Sequence, residues 1–136
     1  MDINMKKMFV TVFTMVLLCG CSIQSDDNKK LNDLEFTVIS QDEIPKELAT
    51  QIEEEKVNEL KLTYSDNENL YIARGYGTQE TSGYSISVDE VYETENAVFF
   101  KSSLIGPAVG EKTDSNQSYP YVVIKMNWID KNVVFE

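Results

Sequence analysis

Histidine is absent from this chain of 136 residues, and cysteine occurs only twice, at Cys19 and Cys21. The first absence removes the commonest general base, the serine and cysteine triads that depend on it, and the commonest metal ligand. The two cysteines are separated by Gly20 alone, a loop too tight for ordinary disulfide geometry. Basic side chains are scarce: 12 Lys and Arg stand against 23 Asp and Glu, a net charge of −11. Such a surface repels phosphate backbones and anionic headgroups, which excludes nucleic acid as a partner. A glycine loop for phosphate is missing too, because Gly75-Tyr76-Gly77 lacks the next glycine and the helix that would follow it.

What chemistry remains is narrow: a carboxylate pair of the glycosidase kind, a Ser–Lys dyad, or a calcium site made of oxygen ligands. Three acidic clusters could supply it. Glu53-Glu54-Glu55 falls in a predicted helix and reads as a solvated face. Asp66-Asn67-Glu68-Asn69 lacks the alternating spacing of a calcium loop and reads as a turn. Asp89 and Glu90, with Glu93 and Glu95 just beyond, would need two carboxylates about 5–10 Å apart in a cleft. No set of residues asks for a cofactor or a metal.

The N-terminus has a layout of its own. Lys6-Lys7 is followed by an apolar run from Met8 to Leu18 and then by Cys19-Gly20-Cys21. The run is about half the roughly twenty residues that a spanning helix needs, so it reads as a secretory signal. Leu18-Cys19-Gly20-Cys21 resembles the lipobox of bacterial lipoproteins. That resemblance implies lipid attachment to the Cys21 thiol and cleavage between Gly20 and Cys21. It places the mature chain on the extracytoplasmic face of the cell membrane, held there by the lipid on Cys21. Asp2 sits where a signal favours positive charge, and Met5 is an alternative start.

The remainder, from Cys21 to Glu136, has the size of one domain. Ser22 to Lys30 is polar and aperiodic, as in a flexible tether. Leu34 to Ile39 predicts a strand with Leu34, Phe36 and Val38 on one face. Pro45 suits a first helical position, with Asp42 and Glu43 nearby to favour the positive helix end. A helix from Pro45 to about Lys61 then follows, its apolar stripe made of Leu48, Ala49, Ile52, Lys56, Val57 and Leu60.

Beyond residue 62 the period becomes two, and strands are expected at 70–75, 83–92, 97–105, 121–128 and 132–135. Val88 and Val91 are both apolar but three apart, so a β-bulge between them is expected. The short connections predict an α+β domain at 31–136, with one helix packed on an antiparallel sheet of about five to six strands. Gly106-Pro107 and Gly110 bound a long loop, residues 106–119, of a length that often serves binding.

Two motifs stand out together: Thr81-Ser82-Gly83-Tyr84-Ser85-Ile86, and Ser118-Tyr119-Pro120-Tyr121-Val122-Val123-Ile124, with the Gly/Pro loop between them. Over about residues 70–126 the chain resembles the PrcB C-terminal domain family. Ser82 stands where that family usually has the first glycine of a pair. The resemblance implies a non-catalytic accessory role, since the family takes its name from an accessory subunit of a surface protease complex.

Gly83, Tyr84, Pro107, Tyr119, Pro120 and Tyr121 are the candidate binding residues. Structural roles would also explain them: a turn at Gly83, core filling by Tyr84, an edge proline at Pro120. The leading expectation is a module that binds a protein through a sheet edge or the 106–119 loop. A cell-envelope carbohydrate or ligand binder, stacking sugars on Tyr76, Tyr119, Tyr121 or Trp128, is a second. A hydrolase using Asp89, Glu90 or Glu93 is a third.

Overall fold

The computed structural model describes residues 30–136. The expected signal segment, the Gly20–Cys21 cleavage site, the Cys21 lipid site and the tether as far as residue 29 lie outside the described residues. Lys30, the last residue of the expected tether, pairs with Asp33 and, at 3.1 Å, with Glu90.

Strands β1 (Asn32–Asp33) and β2 (Thr37–Val38) precede a 3₁₀ turn at Gln41–Glu43 and the helix α1 (Lys46–Glu55). Then follow β3 (Glu59–Ser65), β4 (Asn69–Tyr76), β5 (Ser85–Glu93), β6 (Ala97–Ile105), β7 (Tyr121–Asn127) and β8 (Asn132–Phe135). They form two four-stranded sheets: a central sheet of order β2-β7-β4-β3 and an outer sheet of order β1-β5-β6-β8. The helix, the central sheet and the outer sheet stack as layers.

Apolar residues on the two faces of the central sheet explain the layering. Leu48 and Ile52 of α1 pack with Ile39, Leu60, Tyr71, Ala73 and Val123 on one face. On the other, Leu70, Ile72, Ile124 and Met126 meet Val91, Val98 and Phe100 of the outer sheet. Strand β4 is therefore buried from Leu70 to Gly75. Each fully buried Leu or Ile here contributes about 1.5–3 kcal/mol.

The single antiparallel sheet of five to six strands is thus corrected to two sheets and eight strands. Strand alternation shows that a face is buried but not what buries it, so one sheet and two were equally consistent with the pattern. The pairing is not wholly antiparallel either, because β8 lies parallel to β6, with Val133 opposite Val98 and Phe135 opposite Phe100. The short Trp128–Lys131 connection carries the chain from one sheet to the other instead of closing a hairpin.

The helix is shorter than predicted. It ends at Glu55, with Lys56 as its C-cap and no basic residue in its last turn. Glu53-Glu54-Glu55 at the negative helix end opposes the macrodipole. Leu60, Leu62 and Tyr64 then follow a period of two, and Leu60 reaches the same core from a strand while Val57 is exposed.

Residues 34–39 do not form one continuous strand. β1 pairs with β5, β2 pairs with β7, and the chain crosses between sheets at Leu34–Phe36. Leu34 and Phe36 enter the inter-sheet core, Ile39 enters the helix-side core, and Val38 is 56% exposed. The register between β5 and β6 shifts between Val88 and Glu90, at the position where the sequence changes face.

Candidate functional site

The two motifs lie at one end of the sandwich and are tied to each other. Gln79 and Ser118 form an isolated antiparallel bridge, with N–H to O distances of 2.8 and 3.0 Å. The Ser118 hydroxyl donates to the Thr81 carbonyl at 2.7 Å, and the Asp114 amide donates to the Ser82 hydroxyl at 3.0 Å. Gly83 has a φ of 92°, the left-handed region that side chains with a Cβ rarely adopt. A Cβ there would also lie 3.1 Å from Pro107 and 3.2 Å from Thr113. Gly83 is thus where Pro107 and Thr113 of the loop close on the first motif. Tyr84 is half-buried, and a Cβ at Gly106 would lie 3.5 Å from its ring.

The far part of the loop projects. Ala108 to Glu111 form a turn in which the Glu111 amide donates to the Ala108 carbonyl at 3.0 Å. Gly110 supplies the positive φ, 84°, that a type II turn requires at its third position. The Glu111 carboxylate accepts from the Ala108 amide at 2.9 Å, which fixes the turn from its other side. Val109 at the second position is fully exposed. A branched apolar residue held fully in water on a braced turn is the feature that the sequence reading missed. Its signal was present: a branched apolar residue just before a glycine in an otherwise largely polar loop.

On the neighbouring side, Tyr119 and Tyr121 are half-buried. The Lys56 ammonium sits 5.4 Å from the Tyr119 ring centre, and the Tyr121 hydroxyl accepts from the Gln41 side-chain Nε2 at 2.9 Å. Pro120 lies opposite Tyr76 and its carbonyl accepts from the Tyr76 amide at 3.3 Å; the return bond that its missing N–H cannot make is replaced by the Gln79 side-chain amide, which donates to the Tyr76 carbonyl at 3.2 Å. Tyr119-Pro120-Tyr121 borders a groove of about 350 Å³ with Val38, Ile44 and Val122. A larger groove, about 650 Å³, lies beside Phe36, Asn69 and Met126, and neither motif lines it.

The aromatic rings do not make a shared sugar platform. Trp128 is 46% exposed but lies just past the opposite end of β7 from Tyr121. Tyr76 is engaged by the Arg74 guanidinium, 4.0 Å from its ring centre, and by the Ser102 hydroxyl at 2.7 Å.

The acidic candidates have structural duties. Asp89, at the bulge, accepts hydrogen bonds from the hydroxyls of Ser103 and Ser87, which hold its carboxyl below the usual range. Glu93 is lowered by hydrogen bonds from Lys131 and then from Asn32. Glu90 accepts from Lys30 at 3.1 Å. A glycosidase acid must keep its proton near neutral pH, and Asp89 and Glu93 are shifted the other way. Asp66 caps its own turn, accepting from the amides of Glu68 at 2.9 Å and Asn69 at 2.7 Å. Among the described residues no group of three or more acidic side chains is placed to hold a metal ion.

Arg74 was not anticipated. It is buried within an apolar strand, where its guanidinium reaches Glu59 at 2.8 Å and the Gly75 carbonyl at 2.7 Å.

No curated protein matches the chain, and no solved structure does. The family model described as PrcB C-terminal matches residues 70–127, from the start of β4 to the end of β7. The segment that carries both motifs and the loop between them is therefore similar to the PrcB C-terminal family.

Proposed function

We propose that this chain is a lipid-anchored module on the extracytoplasmic face of the cell membrane, which binds another protein and performs no catalysis itself. We further infer that its partner belongs to a protease complex, for which the chain is an accessory component. One observation carries the reading: both family motifs fold into a single braced loop system that presents Val109 to solvent. A binding loop held by a rigid scaffold keeps its shape before contact, which lowers the cost of association. The protease association rests on the family similarity across residues 70–127.

The anchoring rests on Leu18-Cys19-Gly20-Cys21. No helix among the described residues is long and apolar enough to cross a membrane. Cys21→Ala is expected to leave an uncleaved precursor in cells, since no thiol then accepts the lipid. Unmodified mature protein of normal size from that variant would refute the anchor. For the partner, the tagged chain is captured from solubilised membranes with and without a Gly/Ser replacement of residues 108–111. A protease component should be captured by the native chain and lost with the replacement. Peptidase or glycosidase activity of the purified chain, abolished by Asp89→Asn, would overturn the non-catalytic reading.

A further inference from the structure

The chain crosses between the sheets on one side of the sandwich, and it covers only part of that side. Leu31 and Leu34 donate their amides to the carbonyls of Glu93 and Val91, so β1 fills the edge of β5 at its C-terminal end. β2 pairs with Lys125 and Ile124, and the Ile39 amide donates to the Val123 carbonyl at 3.0 Å. From Ser85 to Glu90, β5 pairs with β6 on one side and has no strand on the other among the described residues.

The unpaired stretch is the continuation of the first motif. It reads Ser85-Ile86-Ser87-Val88, with regular register against Ile105, Leu104, Ser103 and Ser102. Exposed edges are normally blunted by lysine, proline, a bulge or very short length. Within Ser85–Val88 there is no lysine, proline or bulge; the bulge follows Val88. Across that side, the second motif strand has no strand partner at its matching end among the described residues. Tyr76 donates to Pro120 and Ile39 to Val123, and backbone groups of an antiparallel strand alternate in direction. The amide and carbonyl of Tyr121 therefore point away from β4, beyond the reach of β2.

We infer that the Ser85–Val88 edge accepts an extended strand from a partner protein, pairing main chain to main chain, with a lysine or arginine beside Asp89. This rests on the protein-binding reading above and names a second contact for it. Main-chain pairing demands an extended peptide, because neither a sugar nor a helix offers alternating donors and acceptors at strand spacing. Glu90 is already met by Lys30, but Asp89 is hydrogen-bonded only by the neutral hydroxyls of Ser87 and Ser103 among the described residues, so its negative charge at the end of the edge favours a basic partner residue. A second copy of this chain brings its own charge of −11 to the contact and is disfavoured.

The probe is the synthetic peptide acetyl-Thr-Val-Thr-Val-Thr-Lys-amide, added to the full chain and followed by amide hydrogen exchange in NMR spectra. Binding should slow exchange at alternate amides within Ser85–Val88 and leave the Ala108–Glu111 turn unchanged. N-methylating two alternate amides of the peptide should weaken binding by roughly tenfold or more, the loss expected for two main-chain hydrogen bonds. Replacing its lysine by glutamate should weaken binding a few-fold, and less in high salt.

Three results would overturn the inference: undiminished binding by the N-methylated peptide, shifts confined to the Tyr119–Tyr121 groove, or no binding at all. Protection of the same amides without peptide, whether in the monomer or in a dimer, would give the edge to the chain itself and also refute it. If the peptide fails while the 108–111 replacement still abolishes capture, the edge is wrong and the binding-module reading stands. If both fail, that reading falls too.

Discussion

The two sheets are made from similar strands but live in different surroundings. The central sheet is covered on both faces, by α1 on one and the outer sheet on the other, and its β4 is buried along most of its length. Among the described residues the outer sheet is covered on one face only. Across its open face runs a row in which Tyr92 of β5 is opposite Phe99 of β6, and Phe99 is opposite Val134 of β8. Tyr92 and Phe99 lie nearly parallel with ring centres 5.2 Å apart, and Val134 is exposed. Stability is thus concentrated in the central sheet and its two contacts. The surfaces open to partners lie on the outer sheet and at the motif end, where hydrogen bonds rather than apolar burial fix the loop.

The largest expected effect breaks the shared core. Phe100 is fully buried between the sheets and meets Phe135 edge-on at 5.6 Å. Phe100→Ala should cost about 3–5 kcal/mol, whereas Phe99→Ala, one residue away on the open face, should cost roughly 1–2 kcal/mol. Denaturant midpoints compare them directly. Equal losses would mean that the outer face is covered in solution.

Next in size is the closure at Gly83. Gly83→Val places a branched side chain at a φ of 92° and against Pro107 and Thr113, at a cost of about 1–3 kcal/mol. Tyr119→Ala removes a half-buried ring beside Lys56 and should cost about 1 kcal/mol or less. The reverse order in thermal melts would mean that the loop does not close where the structure places it.

A smaller effect should appear in acid. Lys131 joins Glu93 at 2.9 Å and also donates to the Thr94 carbonyl, tying the β7–β8 connection to the end of β5. Because the folded pKa of Glu93 is lowered, its contribution is fully present above the unfolded value of about 4.3. It is lost as pH falls through the lower folded value. Glu93→Gln should therefore be less stable than the native chain at pH 7 and show a shallower loss of stability on acidification. Parallel curves for the two proteins would remove Glu93 from the account.

The five strands after residue 69 were legible because each is rich in β-branched and aromatic residues and bounded by turn residues, although β4 carries a continuous apolar run and β5 changes face at its bulge. The bulge was legible because Val88 and Val91 cannot share a face in a regular strand. The left-handed turn at Gly83 had its mark in the glycine itself. What stayed hidden depends on long-range partners. Leu60 fits the helical stripe begun by Leu48 and Ile52 as well as it fits a strand, and tertiary pairing with Gly75 decides the matter. The division into two sheets, the parallel seat of β8 and the crossing at Leu34–Phe36 follow from which strands meet, which local pattern does not encode. At the candidate site, the motifs were visible but their contact was not, since Ser82–Asp114 and Thr81–Ser118 join residues far apart in the chain. Val109 was visible only as one more loop residue.

The central claim is that the motif end binds protein through its projecting turn. Its most direct test places a photo-reactive amino acid at Val109 in one strain and at Trp128, beyond the opposite end of β7, in another, and irradiates intact cells. The account predicts a discrete cross-linked species, containing a protease component, from position 109 and none from position 128. Cross-links from 128 but not from 109, or from neither, would contradict it.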